Sequence, residues 1–445
     1  MSLVSEAIAR YHKLIESEPY IDLAWAEALQ ERKKALRLNG SVSPVLRPHF
    51  LTNRDYTALE KAAETLAAAI ERVQRLALET PALLGRVHLL PAERMLASSD
   101  PGYSAFSVAS HLHANVSETS LRVTGHSAAL AMGVVSGDQL ADLYYDAAPV
   151  KEFRKKFKLK KIGGPRPLIT ALLKAYKECG GKQKKPAIAF VEFHVGGTAE
   201  LTLLAEYLAK EGFPAVVVTP EQLDYRNNVL RVGDQMIDIV YRGFRLQDFL
   251  VRFDLNHALV RAYKERAVCV VNSFRSDIGS KKAILDLLTD DTVTAKFPAA
   301  EKKAIKDHVP WTRVVAAAKT THKGSIVDLP EFAMKHRAKL VLKPNDDTAE
   351  VPPLRGLDVD DLTWEKALRQ AMRTPTVVQE LPETTRSVFP MFQFGGLMMK
   401  DMQVDTQPHL FAGSAHGAST WLAVSGNSGF STLTGLAPTF VLEGK

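Results

Sequence analysis

His111 and His113 stand one residue apart in this chain, with Glu118 and His126 close behind. Alternate residues of a strand project to the same face. The two imidazoles, completed by Glu118 or His126, therefore have the residue types of a zinc site. The spacing matches no established metal motif. Two histidines on a strand more often make a polar strand face, and that is the expectation here. Gly196-Gly197, at a strand-to-helix turn, invites a phosphate-loop reading. It lacks the third glycine of a dinucleotide fingerprint and reads as a tight turn. Lys343 closes one apolar run and Gln379-Glu380 closes another. Each is as readily a snorkelling lysine or a plain strand end as a nucleotide contact. Nucleophile catalysis has no support, because Cys269 lies inside an apolar run as a small core residue.

Residues 151–166 hold eight basic side chains, Lys151, Arg154, Lys155, Lys156, Lys158, Lys160, Lys161 and Arg166, against one acid, Glu152. A basic tract of this kind can meet nucleic acid or another polyanion. Phe153 and Phe157, four apart, instead mark a helix side that faces a core. No aromatic stacks among the exposed positions, so a solvated face is expected and nucleic acid is an unlikely partner for the 151–185 region.

These candidates need a scaffold, and composition bounds it. A chain of 445 residues is too long for one compact core and suits two or three packed domains. Hydrophobic residues at 46% and charged residues at 24% exclude wholesale disorder. The net charge of +7, from 57 basic and 50 acidic residues, is too mild to name a partner. No run approaches the roughly 20 apolar residues that span a bilayer. The first twenty residues carry Glu6, Glu16 and Glu18 and lack a signal-type apolar stretch. Cys179 and Cys269 are far apart in sequence and have no metal-ligand neighbours, as expected of reduced thiols in a cytoplasmic protein without membrane contact.

Apolar periodicity predicts a helix from Asp55 to Glu79, with Asp55 as its N-cap. Two short strands, Ser107–Ser110 and Ser120–Thr124, follow with a turn between them. Helical character returns near Gln139. Ile188–Phe193, Thr198–Lys210 and Ala215–Val218 form a βαβ unit, which implies a parallel sheet. Val229–Val232 and Met236–Tyr241 flank Gly233-Asp234 as a hairpin. Strands at Val268–Asn272, Lys339–Lys343 and Pro375–Glu380 alternate with helices at Lys282–Leu288 and Trp364–Met372. A Gly-rich, strand-like stretch runs from Phe392 onward.

Three blocks in this order resemble a known family: Val271–Leu288 (VNSFRSDIGSKKAILDLL), Leu340–Asp347 (LVLKPNDD) and Val377–Glu380 (VVQE). Together with Arg47-Pro48, Phe50–Thr52, Pro101–Tyr103, Ile237-Asp238, Tyr241-Arg242 and Ala437–Val441, they are similar to the circularly permuted ATP-grasp proteins related to glutathionylspermidine synthase. The resemblance implies an α/β fold with a helical N-terminal portion and permuted ATP-grasp strands over 1–185. It implies a small parallel-sheet domain over 186–275 and nucleotide-binding subdomains over 276–445. It also implies that the strands around His111 and Gly125 pack beside the lysine-bearing strands.

ATP-grasp ligases phosphorylate a carboxylate and let an amine displace the phosphate, so lysines and Mg²⁺ must offset the triphosphate charge. The resemblance puts Lys282 and Lys343 at the two phosphate lysines and Gln379 and Glu380 beside the adenine, with ATP as the candidate cofactor. At the metal site this chain departs from the pattern. The family's Arg-x-Asp and Glu-x-Asn pairs, 14 residues apart, are replaced by His111, His113, Gly125 and Ser127 at the same spacing. Mg²⁺ wants hard oxygen ligands, which makes Mg²⁺ doubtful here. The glycine-rich phosphate lid expected after Asp347 is replaced by Thr348–Gly356, with Glu350, Pro352 and Pro353, and three glycines near the end by Gly426–Gly429. These departures imply a degenerate homologue without catalysis, acting as a binding protein or as partner to an active paralogue. The alternative is a working carboxylate–amine ligase in which Asp346, Asp347, Asp401 or Asp405 supplies compensating carboxylates.

Overall fold

Apolar strand-length runs separated by helical patterns dictate a parallel sheet, because each crossover helix returns the chain to the same end. The protein, described by a computed structural model over residues 2–18, 20–36, 44–117, 119–128, 133–194, 198–346, 351–424 and 432–443, contains that sheet. Its order is Cys269–Val271, Ile239–Arg242, Ile188–Val191, Ala215–Val218, with every pair parallel. Side chains alternate between two covers. Ile188, Phe190, Ile239, Tyr241, Cys269 and Val271 pack with helices Arg166–Glu178 and Ala199–Lys210. Ala189, Val191, Val240 and Val270 pack with Leu246–Arg252 and Ala258–Lys264. Gly196-Gly197 lies outside the described residues.

The expected hairpin with Met236–Tyr241 forms only at its turn. Val229–Val232 pairs with Gln235–Met236 and, on its other edge, with Leu223–Arg226. Ile239–Arg242 departs to become a central parallel strand. Burial explains the difference: a run that is apolar on both faces suits a strand covered twice, not a half-solvated hairpin.

A second, antiparallel sheet carries the histidines. Its order is Thr432–Ala437, Ser414–Val424, Gly396–Phe411, Ala109–Val116, Leu121–Ser127. Arg386–Gln393 and Ala109–Val116 share one edge of the long Gly396–Phe411 strand, end to end. The histidine strands are therefore the sequence-predicted pair, each extended by several residues toward its C-terminus. Beneath them runs the helix Asn53–Glu79, whose Leu59, Leu66, Ile70 and Val73 pack with Leu112, Ala114, Ile284 and Leu288. Its N-cap is Thr52 rather than Asp55. The Thr52 hydroxyl accepts from the Asp55 N–H at 3.0 Å and donates to the Asp55 carboxylate at 2.7 Å, so Asp55 belongs to the first turn.

A third sheet, Thr312–Val314, Thr376–Glu380, Leu340–Pro344, Leu354–Arg355, is antiparallel and holds the candidate lysine and adenine-side positions. The segment 37–43 lies outside the described residues; helices Leu3–Ile15 and Ala24–Ala35 precede it. In the basic tract, Phe153 and Phe157 are buried and stacked at 4.8 Å, with Phe50 stacked on Phe153 at 5.3 Å. Lys151, Lys155, Lys156, Lys158, Lys160 and Lys161 face solvent.

One side chain joins the parallel sheet to the histidine strands. The Asn272 carbonyl oxygen accepts from the Val108 and Ala109 N–H groups at 2.8 and 3.0 Å. Its amide donates to the Ala109 and Ala128 carbonyls, both at 2.6 Å. All of these groups are buried, and an unmet buried donor or acceptor costs about 1–3 kcal/mol. Asn272→Ala should therefore destabilise the chain by roughly 3 kcal/mol or more in denaturant titration. Phe153→Ala should cost about 3–5 kcal/mol, whereas Lys158→Ala should stay within about 0.5 kcal/mol. Equal effects of the last two would deny the buried stack its role.

Candidate functional site

Strand pairing turns the spacing of these residues into geometry. The antiparallel register sets His111 opposite Ser127 and His113 opposite Gly125, so the four positions form two adjacent cross-strand pairs. Leu112 and Ala114, which alternate with the histidines, face the core under the long helix. His111 and His113 thus share the opposite face, with ring centroids 5.1 Å apart. The neighbouring strand extends this face, for His409 pairs with His111. Asp405 and Gln407 reach His113: its Nδ1 lies 3.3 Å from Asp405 Oδ2 and 3.1 Å from Gln407 Nε2. Gln407 also donates to Asp405 at 2.6 Å.

The charge state of this face follows from burial. His111 is 8% exposed, and its Nδ1 finds no hydrogen-bond partner among the described residues. Burial, reinforced by His113, His409, His126 and Lys282, holds its imidazole well below the ordinary value. His126 projects away from this face, and its Nδ1 donates to the Gly279 carbonyl at 2.8 Å. Burial pulls its pKa down to about 4. Among the described residues no three His, Cys, Asp or Glu side chains gather closely enough to hold a metal ion. Glu118 lies outside the described residues.

The lysine sheet meets the hairpin directly. Lys343 donates to the Thr124 carbonyl at 3.1 Å and to Gln379 Oε1 at 2.7 Å. Gln379, fully buried, passes its amide on to Thr312 Oγ1 at 2.9 Å. Glu380 sits beside them on the strand but turns to His322 and Lys323, at 2.9 and 3.3 Å. Burial pushes the Glu380 carboxyl up, but these two partners outweigh it and hold it below its ordinary value. Lys282 is buried at the start of helix Ala283–Leu288, its N–H held by the Asn345 carbonyl at 2.8 Å.

Of the candidate compensating carboxylates, Asp405 alone is seen to touch the quartet. Asp346 pairs with Lys281 at 2.5 Å, Asp401 pairs with Arg386 at 2.7 Å, and Asp347, Glu350 and Gly426–Gly429 lie outside the described residues. Sequence reasoning passed over Lys281, which is 2% exposed and bonded to Glu93 at 2.8 Å as well as to Asp346. It lines a cavity of about 70 Å³ with Ser127, Arg242, Arg245 and Asp277. Arg242 ends a parallel strand and pairs with Asp277 at 2.5 Å. That is the carboxyl end of an open α/β sheet, where such folds hold ligands. The signal available in the sequence was the charged residue closing the apolar run Ile239–Tyr241.

The neutral His126 has a consequence for stability. Between the ordinary 6.5 and about 4, the unfolded chain takes up a proton that the folded chain refuses. Its contribution is therefore complete above 6.5 and is lost as pH falls toward 4. Denaturant titrations from pH 7.5 to 4.5 should show a shallower decline for His126→Asn than for the wild type. Parallel declines would mean that His126 titrates normally in the folded state.

No family model matches the chain, and no curated protein matches it in sequence. Solved structures do match. A glutathione synthetase-like effector from Globodera pallida, in its apo form, has a TM-score of 0.62 at 12% identity, covering 96% of this chain and 99% of its own. A putative γ-glutamylcysteine synthetase from Methylobacillus flagellatus has a TM-score of 0.42 at 10% identity, covering 87% of each chain. The ATP-grasp ligase PsnB, complexed with a phosphomimetic variant of a minimal precursor, Mg and ADP, has 0.31 at 15%, covering 57% of this chain and 89% of its own. The first match extends over nearly the whole of both chains. The protein therefore has a mixed α/β fold, similar to that of the glutathione synthetase-like effector.

Proposed function

We propose that this chain is a degenerate, circularly permuted ATP-grasp homologue that no longer ligates and that acts in the cytoplasm as a binding or partner subunit, paired with an active paralogue. The observation that carries the reading is the composition of the two cross-strand pairs. Two imidazoles, a hydroxyl and a bare glycine face each other where the resembling family has Arg, Asp, Asn and Glu. Mg²⁺ binds hard oxygens and prefers carboxylates. Of the four, only Ser127 offers an oxygen, and Asp405 beside them already accepts from Gln407. The donor set does not fit Mg²⁺. Lys343 is likewise engaged by Gln379 and the Thr124 carbonyl.

The contact of Asp405 with His113 favours the alternative, an active ATP-dependent carboxylate–amine ligase with a rearranged site. Calorimetric titration of metal-free protein with ATP, with and without Mg²⁺, separates the two. The non-catalytic reading expects no binding that strengthens with Mg²⁺ and no release of ADP with a carboxylate and an amine. Micromolar, Mg²⁺-dependent binding that a Lys282→Ala, Lys343→Ala double variant abolishes, with ADP released in the presence of a carboxylate and an amine, would establish the ligase instead.

A further inference from the structure

Ninety residues separate the only two cysteines of the chain, and folding brings them into contact. Cys179 caps the C-terminus of helix Arg166–Glu178, which covers the face of the parallel sheet to which Cys269 points. Cys269 opens the edge strand Cys269–Val271. The two Sγ atoms lie 3.0 Å apart, and both are free thiols. Sulfurs in a disulfide are about 2.05 Å apart, so closing a bond needs the two sulfurs to approach by about 1 Å. Access is unequal. Cys269 is 2% exposed, whereas Cys179 is partly exposed, with the Pro101 carbonyl 3.5 Å from its sulfur.

We propose that Cys179 and Cys269 are a modification site, a dithiol that a peroxide converts to an intramolecular disulfide and a small thiol reduces again. In the first step the Cys179 sulfur attacks one peroxide oxygen, the O–O bond breaks, and Cys179 becomes a sulfenic acid with loss of water. In the second the Cys269 sulfur attacks the Cys179 sulfur, the S–O bond breaks, and a second water leaves with the Cys269 proton. Two thiols and one hydrogen peroxide thus give one disulfide and two waters. Contact with the Cys179 thiol and burial both push the Cys269 thiol up.

The position gives the bond a lever. Cys269 lies three residues before Asn272, whose side chain anchors both histidine strands. Tyr103, from the segment that covers Cys179, donates to the Val270 carbonyl at 2.8 Å and accepts from the Ser273 N–H at 2.7 Å. A disulfide would tie this strand to helix Arg166–Glu178 immediately below the anchor.

Full-length protein should be treated with hydrogen peroxide, freed of it, and unfolded in an alkylating reagent. The expected result is two unalkylated cysteines, an intact mass lower by two hydrogen atoms, and a tryptic cross-link joining the Cys179 and Cys269 peptides. Dithiothreitol should restore both thiols. Cys269→Ser should leave Cys179 as a sulfenic acid that dimedone captures. The proposal is overturned if both thiols of the wild type survive the oxidant. Sulfinic or sulfonic acids without a cross-link, or cross-links only between chains, would overturn it too. The wild-type measurement stands whether or not the variant folds.

Discussion

The carboxamide of Asn272 satisfies four buried backbone groups at the ends of two strands that lie more than 140 residues away in sequence. Within a packed interior each of those groups would otherwise lose its bond to water and gain nothing. The chain leaves the parallel sheet at this residue, so the clamp sets where the histidine hairpin begins and where it ends. The Arg242 guanidinium strengthens the same corner by donating to the Asn272 carbonyl at 3.1 Å and pairing with Asp277. Position and orientation of the candidate site therefore depend on a polar contact that neither sheet makes alone.

Given that frame, the backbone sets four unlike side chains on two neighbouring strands. Antiparallel register pairs His111 with Ser127 and His113 with Gly125 through main-chain bonds that are indifferent to the residues they carry. The electrostatics of this face rest on neutral groups. Buried imidazoles pushed below their ordinary range add no charge near pH 7, and the lysines beside them are answered by an amide, carbonyls and distant acids. A buried charge needs a partner in place, and Lys281 obtains two, Glu93 and Asp346. This is a consistent polar interior rather than a damaged one.

Most of the fold was legible where burial writes a simple period. The long helix, the βαβ unit and the strands ending at Lys343 and Glu380 followed from apolar spacing, because each buries one continuous stripe or two faces. The failures have a common physical source. Thr52 and Asp55 are both good caps, and only the turn geometry decides which hydroxyl or carboxylate meets a free N–H. Met236 and Ile239 look like one strand, and only the helices covering Ile239 separate them. Within the site, the shared face of His111 and His113 was readable from their spacing, while their pairing with Ser127 and Gly125 and the roles of Lys281, Asn272 and Gln407 were not. Their partners come from other segments, and no local pattern records them.

The sequence by itself determined residue types and periods: an α/β chain, two histidines on one strand face, and Phe153 with Phe157 turned to a core. Those properties depend on near neighbours, whose geometry is set by the backbone alone. Tertiary structure alone decided which distant groups meet. It placed Asp405 on His113, Gln379 on Lys343, and Cys179 against Cys269. Such contacts arise from the packing of whole sheets and helices, and residues remote in sequence carry no mark of the surface they will share.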